Sequence, residues 1–101
     1  MHMVQILLPL TRNNGQPQPS SLFGEVRGEL VAQFGGLTAF TRSPAVGLWE
    51  DEGDLDRDDI VIFEVMAEQL DRQWWGDYRQ RLEERFAQEV IVVRSHQIDM
   101  L

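Results

Sequence analysis

The sequence predicts a ferredoxin-like α+β fold, βαββαβ, with a four-stranded antiparallel sheet in order 4-1-3-2 and two helices on one face. Three observations carry that expectation. Four short apolar segments, at Val4 to Leu8, Leu37 to Arg42, Ile60 to Met66 and Val90 to Val93, have the alternation or β-branched content of strands. Two segments with apolar residues every three or four places lie between the first pair and the last pair. The connection after the second helical segment is too short for anything but docking back onto the same sheet.

In the first strand Val4, Ile6 and Leu8 alternate, with Leu7 between them, and Pro9 ends it or places it at a margin. Residues 13–19, Asn-Asn-Gly-Gln-Pro-Gln-Pro, are turn-forming and polar, and are expected to be a mobile loop. Ser20 or Ser21 is positioned to cap a helix whose Leu22, Phe23, Val26, Leu30 and Phe34 share one face, with Gly35-Gly36 stopping it. Gly24, Gly28 and Ala32 form a row of small residues on the far side, which suits close approach of another backbone or an ordinary exposed face. Leu37 to Arg42 is a short second strand, and 50–59, with seven carboxylates in ten residues, is expected to be a solvated hairpin tip.

The third strand, Ile60 to Met66, is the strongest. After it Trp74, Tyr78, Leu82 and Phe86 recur every four residues, marking a helix with one buried face. It starts at an Asp71 N-cap or, since Gly76 costs about 1 kcal/mol against Ala, at Asp77. Two adjacent tryptophans cannot both point inward, so one of Trp74 and Trp75 reaches a rim, a subunit contact or a pocket mouth.

A chain of 101 residues fits one domain, 1–101, with a single core of modest size, for which a homodimer is the natural expectation. It has no apolar run long enough to span a membrane and no basic-then-apolar leader, so the expected location is the cytoplasm. A net charge of −8 opposes nucleic-acid and anionic-membrane partners. With no cysteine there is no disulfide and no thiolate chemistry, and with all nine basic residues arginine no side-chain amine forms a Schiff base. No cofactor signature is present.

Alternation places Val61, Phe63, Val65 and Ala67 towards the helices and Ile60, Ile62, Glu64, Met66 and Glu68 on the opposite, open face. That second face is half apolar, which suits a ligand or another subunit's sheet. On the fourth strand Arg94 and His96 share the open face, with Gln5 or Leu7 between them and Glu64. There Arg94 suits an anionic or carbonyl group, Glu64 a base and His96 a proton carrier. Phe40, Trp49, Met66 and Trp75 are the candidate ligand contacts. The alternatives are an ion pair between Glu64 and Arg94 and a frayed strand end at His96.

Metal sites are disfavoured. In a loop starting at Asp54, Asp59 stands where an EF-hand needs glycine and Val65 where it needs a bidentate glutamate. His2 and His96, with Asp99 nearby, are the remaining candidates for zinc or nickel, brought together by the adjacency of the first and last strands.

Three motifs, Phe34-Gly35-Gly36-Leu37-Thr38, Gly47-Leu48-Trp49 and Arg85-Phe86-Ala87-Gln88-Glu89-Val90, resemble in order and spacing a family of small bacterial proteins of unknown function. Leu82 replaces that family's usual tyrosine and Pro9-Leu10 departs from its first loop. The resemblance implies the same ferredoxin-like fold and no catalytic residues. More distantly, the element order is similar to dimeric α+β barrel proteins, which include cofactor-independent oxygenases and isomerases, haem enzymes and ligand-binding regulators. Three functional expectations follow: a dimeric small-molecule-binding domain, a cofactor-independent oxygenase or isomerase with an aromatic-lined pocket, or a structural or interaction module.

Overall fold

The computed structural model describes the backbone of residues 1–51 and 54–101, and the side chains of residues 1–39 and 60–101. Along the chain run β1 (His2–Pro9), α1 (Ser20–Phe34), β2 (Thr38–Asp51), β3 (Asp54–Ala67), α2 (Arg72–Arg85) and β4 (Val92–Gln97). The strands form one antiparallel sheet in order β2-β3-β1-β4, the expected ferredoxin-like arrangement read from the other edge. Among the described residues no helix is long and apolar enough to cross a membrane.

One sheet face and the two helices make the core. Val4, Ile6 and Leu8 of β1 and Val61, Phe63 and Val65 of β3 are buried under Val26 and Leu30 of α1 and Trp75, Tyr78 and Leu82 of α2. The alternation expected of β3 is therefore observed, with Phe63 fully buried while Met66 remains 48% exposed. Trp75, not Trp74, is the inward tryptophan, lying parallel to Phe34 at 5.2 Å between centroids. Trp74 is half-buried at the rim, where it stacks on Tyr78 at 4.9 Å. The buried stripe of α2 thus steps from Trp75 to Tyr78 to Leu82, one position on from the strict four-residue row.

Helix ends follow local chemistry. Asp71 caps α2, its carboxylate accepting from the Trp74 N–H at 3.1 Å, so Gly76 is carried inside the helix. Neither Ser20 nor Ser21 caps α1. Pro19 occupies that position without a side-chain bond, since its missing N–H and fixed φ of −57° suit a helix entry. Gly35 ends α1 at φ +80°, its N–H donating to Val31 C=O at 2.8 Å.

Several expectations are corrected. The loop after β1 is a miniature hairpin: Thr11 bridges Pro17, Arg12 N–H donates to Gln16 C=O at 2.7 Å, and Gln18 N–H to Leu10 C=O at 2.9 Å. Its Gln18 is buried and donates to Phe86 C=O at 2.8 Å, tying it to the end of α2. The second strand extends to Asp51 through a register shift between Phe40 and Ala45, where Pro44 is accommodated on an edge strand. The acidic stretch lies at the closing end of the β2–β3 hairpin, with Asp51 paired to Asp54 and Glu50 to Leu55, and residues 52–53 lie outside the described backbone. The last strand starts at Val92 and runs to Gln97. Val90 is exposed, and Glu83 accepts the Ile91 N–H at 3.0 Å, holding that residue off the ladder.

The helices are also joined by a polar latch that periodicity does not reveal. Arg85 donates twice to Glu29, at 2.7 and 2.9 Å, and Tyr78 Oη–H donates to the same carboxylate at 2.9 Å. Arg85 holds the Glu29 carboxyl below its usual range, with Tyr78 assisting against partial desolvation. A carboxylate whose folded pKa is depressed stabilises the fold above its unfolded value, and that contribution is lost as pH falls through the folded value. Acid titration is therefore expected to show a loss of stability below about pH 4.5 that is smaller in Glu29→Gln. Solvent access at Glu29 limits the difference to about 1 kcal/mol. Equal acid sensitivity in the two chains, measured by urea midpoints at two pH values, would refute the assignment.

Candidate functional site

The strand register brings the open face together from residues far apart in the chain. Thr38, Glu64, Gln5 and Arg94 form one row across β2, β3, β1 and β4. The next row towards one end holds Met66, Met3 and His96, and the row on the other side holds Ile62, Leu7 and Val92. Neighbouring rows are two residues apart, so all three point to the same side of the pleat, away from the helices.

Glu64 and Arg94 do share the open face, yet they do not pair directly. Gln5 stands between them: its Nε2 donates to Glu64 Oε1 at 2.6 Å, and its Oε1 accepts from Arg94 Nε at 2.8 Å. The amide thus transmits the polarity of the guanidinium to the carboxylate across three strands. Among the described residues, the two terminal amino groups of Arg94 and the second oxygen of Glu64 have no hydrogen-bond partner. These are unspent donors and an unspent acceptor on a face whose remaining described residues are largely apolar. Gln5 is the half-buried centre of the row, a role that alternation alone leaves open between Gln5 and Leu7.

Where α1 ends, a cavity of ≈ 280 Å³ opens beside this row. Phe34, Gly35 and Leu37 form one wall, while Met3, Glu64 and Met66 form the other. Gly35 turns the chain from α1 into β2 at φ +80°, a conformation that favours glycine even though a Cβ there would meet nothing within 4 Å.

The other candidates separate. Trp75 belongs to the helix side of the sheet and cannot share a wall with Met66; it lines instead a depression of ≈ 140 Å³ beside Val93 and Ser95. The side chains of Phe40 and Trp49 lie outside the described residues. His2 pairs with Gln97 and His96 with Met3, so the two imidazoles leave the sheet on opposite faces, since consecutive strand positions alternate. Among the described residues no three of His, Cys, Asp or Glu gather into a metal-sized group. His2, His96 and Asp99 accordingly do not converge. A further depression of ≈ 300 Å³ lies between the helices, lined by Glu29, Trp74, Tyr78 and Arg81, with the Arg81 guanidinium 5.1 Å from the Tyr78 ring.

No protein-family model matches the chain. A comparison with characterised protein sequences finds no match either. Solved structures do resemble it. The divalent cation tolerance protein CutA1 of Thermus thermophilus superposes with a TM-score of 0.65 at 12% identity, over 99% of this chain and 86% of that one. CutA1 of Pyrococcus horikoshii gives 0.62 at 14%, over 100% and 86%. A phage SAM lyase in complex with S-methyl-5'-thioadenosine gives 0.59 at 16%, over 95% and 80%. At these identities the likeness establishes the fold, and the fold does not by itself carry an activity.

Proposed function

We propose that the chain is a small-molecule-binding domain that pairs with a second copy of itself through the open sheet face. The observation that carries this reading is the Glu64–Gln5–Arg94 row, a charged and hydrogen-bonded band set in a face of Ile62, Leu7, Val92, Met3 and Met66 that neither helix covers. Apolar residues on an uncovered face favour a partner sheet, whereas a polar band with unspent groups is costly to cover unless something answers it. A ligand between two such faces satisfies both demands. Arg94 would hold a carboxylate, phosphate or carbonyl oxygen, and Glu64 an N–H or O–H of the same molecule. The phage lyase supports the reading by analogy, because there a chain of this fold accommodates a small organic ligand.

Sedimentation velocity over a concentration series, combined with ligand-observed NMR against a panel of small carboxylates and phosphates, tests it. A dimer is expected, with any binder of the intact protein lost in Arg94→Ala while the fold persists. A chain that stays monomeric at its highest soluble concentration, and whose Arg94→Ala variant retains every binder, would overturn the proposal.

A further inference from the structure

We propose that Met66, Met3 and His96 form a binding site for a soft monovalent cation, copper(I) or silver(I). The donors are a cross-strand row: Met3 on β1 is paired with Met66 on β3 at one side and with His96 on β4 at the other. Directly paired residues in adjacent antiparallel strands are about 4.5–5.5 Å apart at Cα, so Met66 and His96 each flank Met3 at that distance and lie roughly twice as far from one another. A methionine or histidine side chain spans such a gap, and two thioethers and an imidazole can converge above the central strand.

The arrangement is a product of topology. All four methionines and both histidines of the chain lie at positions 1–3, 66, 96 and 100. Antiparallel pairing gathers the start of β1, the end of β3 and the end of β4 at one end of the sheet, and the Ile98 N–H donates to Met1 C=O at 3.0 Å. Of this group only Met66, Met3 and His96 form one row on the open face, since His2 leaves on the other side.

Access and donor type complete the argument. Met66 is 48% exposed and His96 is exposed, while Met3 and Met66 line the same ≈ 280 Å³ cavity, so an ion reaches the sulfurs without opening the core. Thioether sulfur is soft and uncharged; with imidazole it selects copper(I)-like ions over magnesium, calcium or manganese, which require hard oxygen donors. In the adjoining row Glu64 gives one of its two oxygens to Gln5. With no cysteine in the chain, thioethers are its only sulfur donors, and the net charge of −8 draws cations towards the surface. The simpler role for these methionines, as apolar cover for a partner, does not account for the histidine in the same row. All three donors come from one chain, so the site needs neither a second copy nor the organic ligand to complete it, although it lies on the face proposed to pair.

The test is anaerobic titration of the full chain with copper(I) in competition with a chromophoric chelator, repeated with silver(I) and followed through the methionine methyl and histidine ring NMR signals. One ion per chain is expected, with the Met3, Met66 and His96 signals shifting together. Met66→Leu and His96→Gln, both at exposed positions and each checked by circular dichroism, are expected to weaken binding by roughly tenfold or more, the scale set by losing even an outer-sphere partner of a ligand. Arg94→Ala is expected to leave copper(I) affinity unchanged, which separates this site from the one proposed for the small molecule. Failure to retain copper(I), or retention at full affinity in both single variants, would overturn the proposal.

Discussion

Phe63→Ala is expected to remove about 3–5 kcal/mol of stability, the cost of truncating a fully enclosed aromatic side chain. Phe63 is 0% exposed at the middle of β3, paired with Ile6 on one side and Ala39 on the other, directly beneath the helices. Both helices face the cavity left behind, and strands fixed by ladder hydrogen bonds have little freedom to collapse into it. Against a total of about 5–15 kcal/mol for a domain of ordinary stability, this is a large fraction. Urea unfolding should show a lower midpoint at an unchanged slope. A shift below about 1 kcal/mol would mean that the helices do not clamp the sheet as described.

Ile62→Glu, one residue earlier, is expected to do the opposite. Ile62 faces the open side, half-buried against Leu7 in the same row, so the isolated chain should lose no more than about 1 kcal/mol, the scale of a cross-strand pair. Covered by a second subunit, however, the new carboxylate would be buried without a partner at a cost of about 3–5 kcal/mol. That is at least roughly a hundredfold in the dimer dissociation constant, readable by sedimentation. A dimer unaffected by the substitution would place the subunit contact elsewhere. The two neighbouring substitutions thus probe the two faces of one strand separately.

The same contrast explains how much of the molecule was legible in one dimension. Period-two alternation in Val61 to Ala67 and apolar spacing in Trp74 to Phe86 are local signals, and they yield the element order, the core face of β3 and the open-face placement of Glu64, Arg94 and His96. Element boundaries were less legible because non-local contacts decide them. Glu83 holds Ile91 off the ladder, Gln18 is pulled inward by Phe86 C=O, and the irregular register around Pro44 lets β2 continue to Asp51. The inward choice between Trp74 and Trp75 depends on packing between the helices, where Phe34 lies 5.2 Å from both rings, parallel to Trp75 and edge-on to Trp74. The motif residues Phe34-Gly35-Gly36-Leu37 and Phe86-Ala87-Gln88 are explained as helix exits. Gly35 and Ala87 adopt positive φ, and the Gln88 side chain donates to Phe86 C=O at 3.2 Å.

By itself, the sequence determined which residues of a strand share a face, because that depends only on the pitch of the strand, and it excluded thiol and side-chain amine chemistry by composition. Only the tertiary structure decided which of those side chains meet. Register made Gln5 the bridge between Glu64 and Arg94, placed Met3 between Met66 and His96, put His2 on the other side of the sheet from His96, and joined Glu29 to Tyr78 and Arg85. Register is a property of pairs of segments as far apart along the chain as those holding His2 and Gln97. A slip of one residue reverses every facing, so burial of one face locks it while no local pattern announces it.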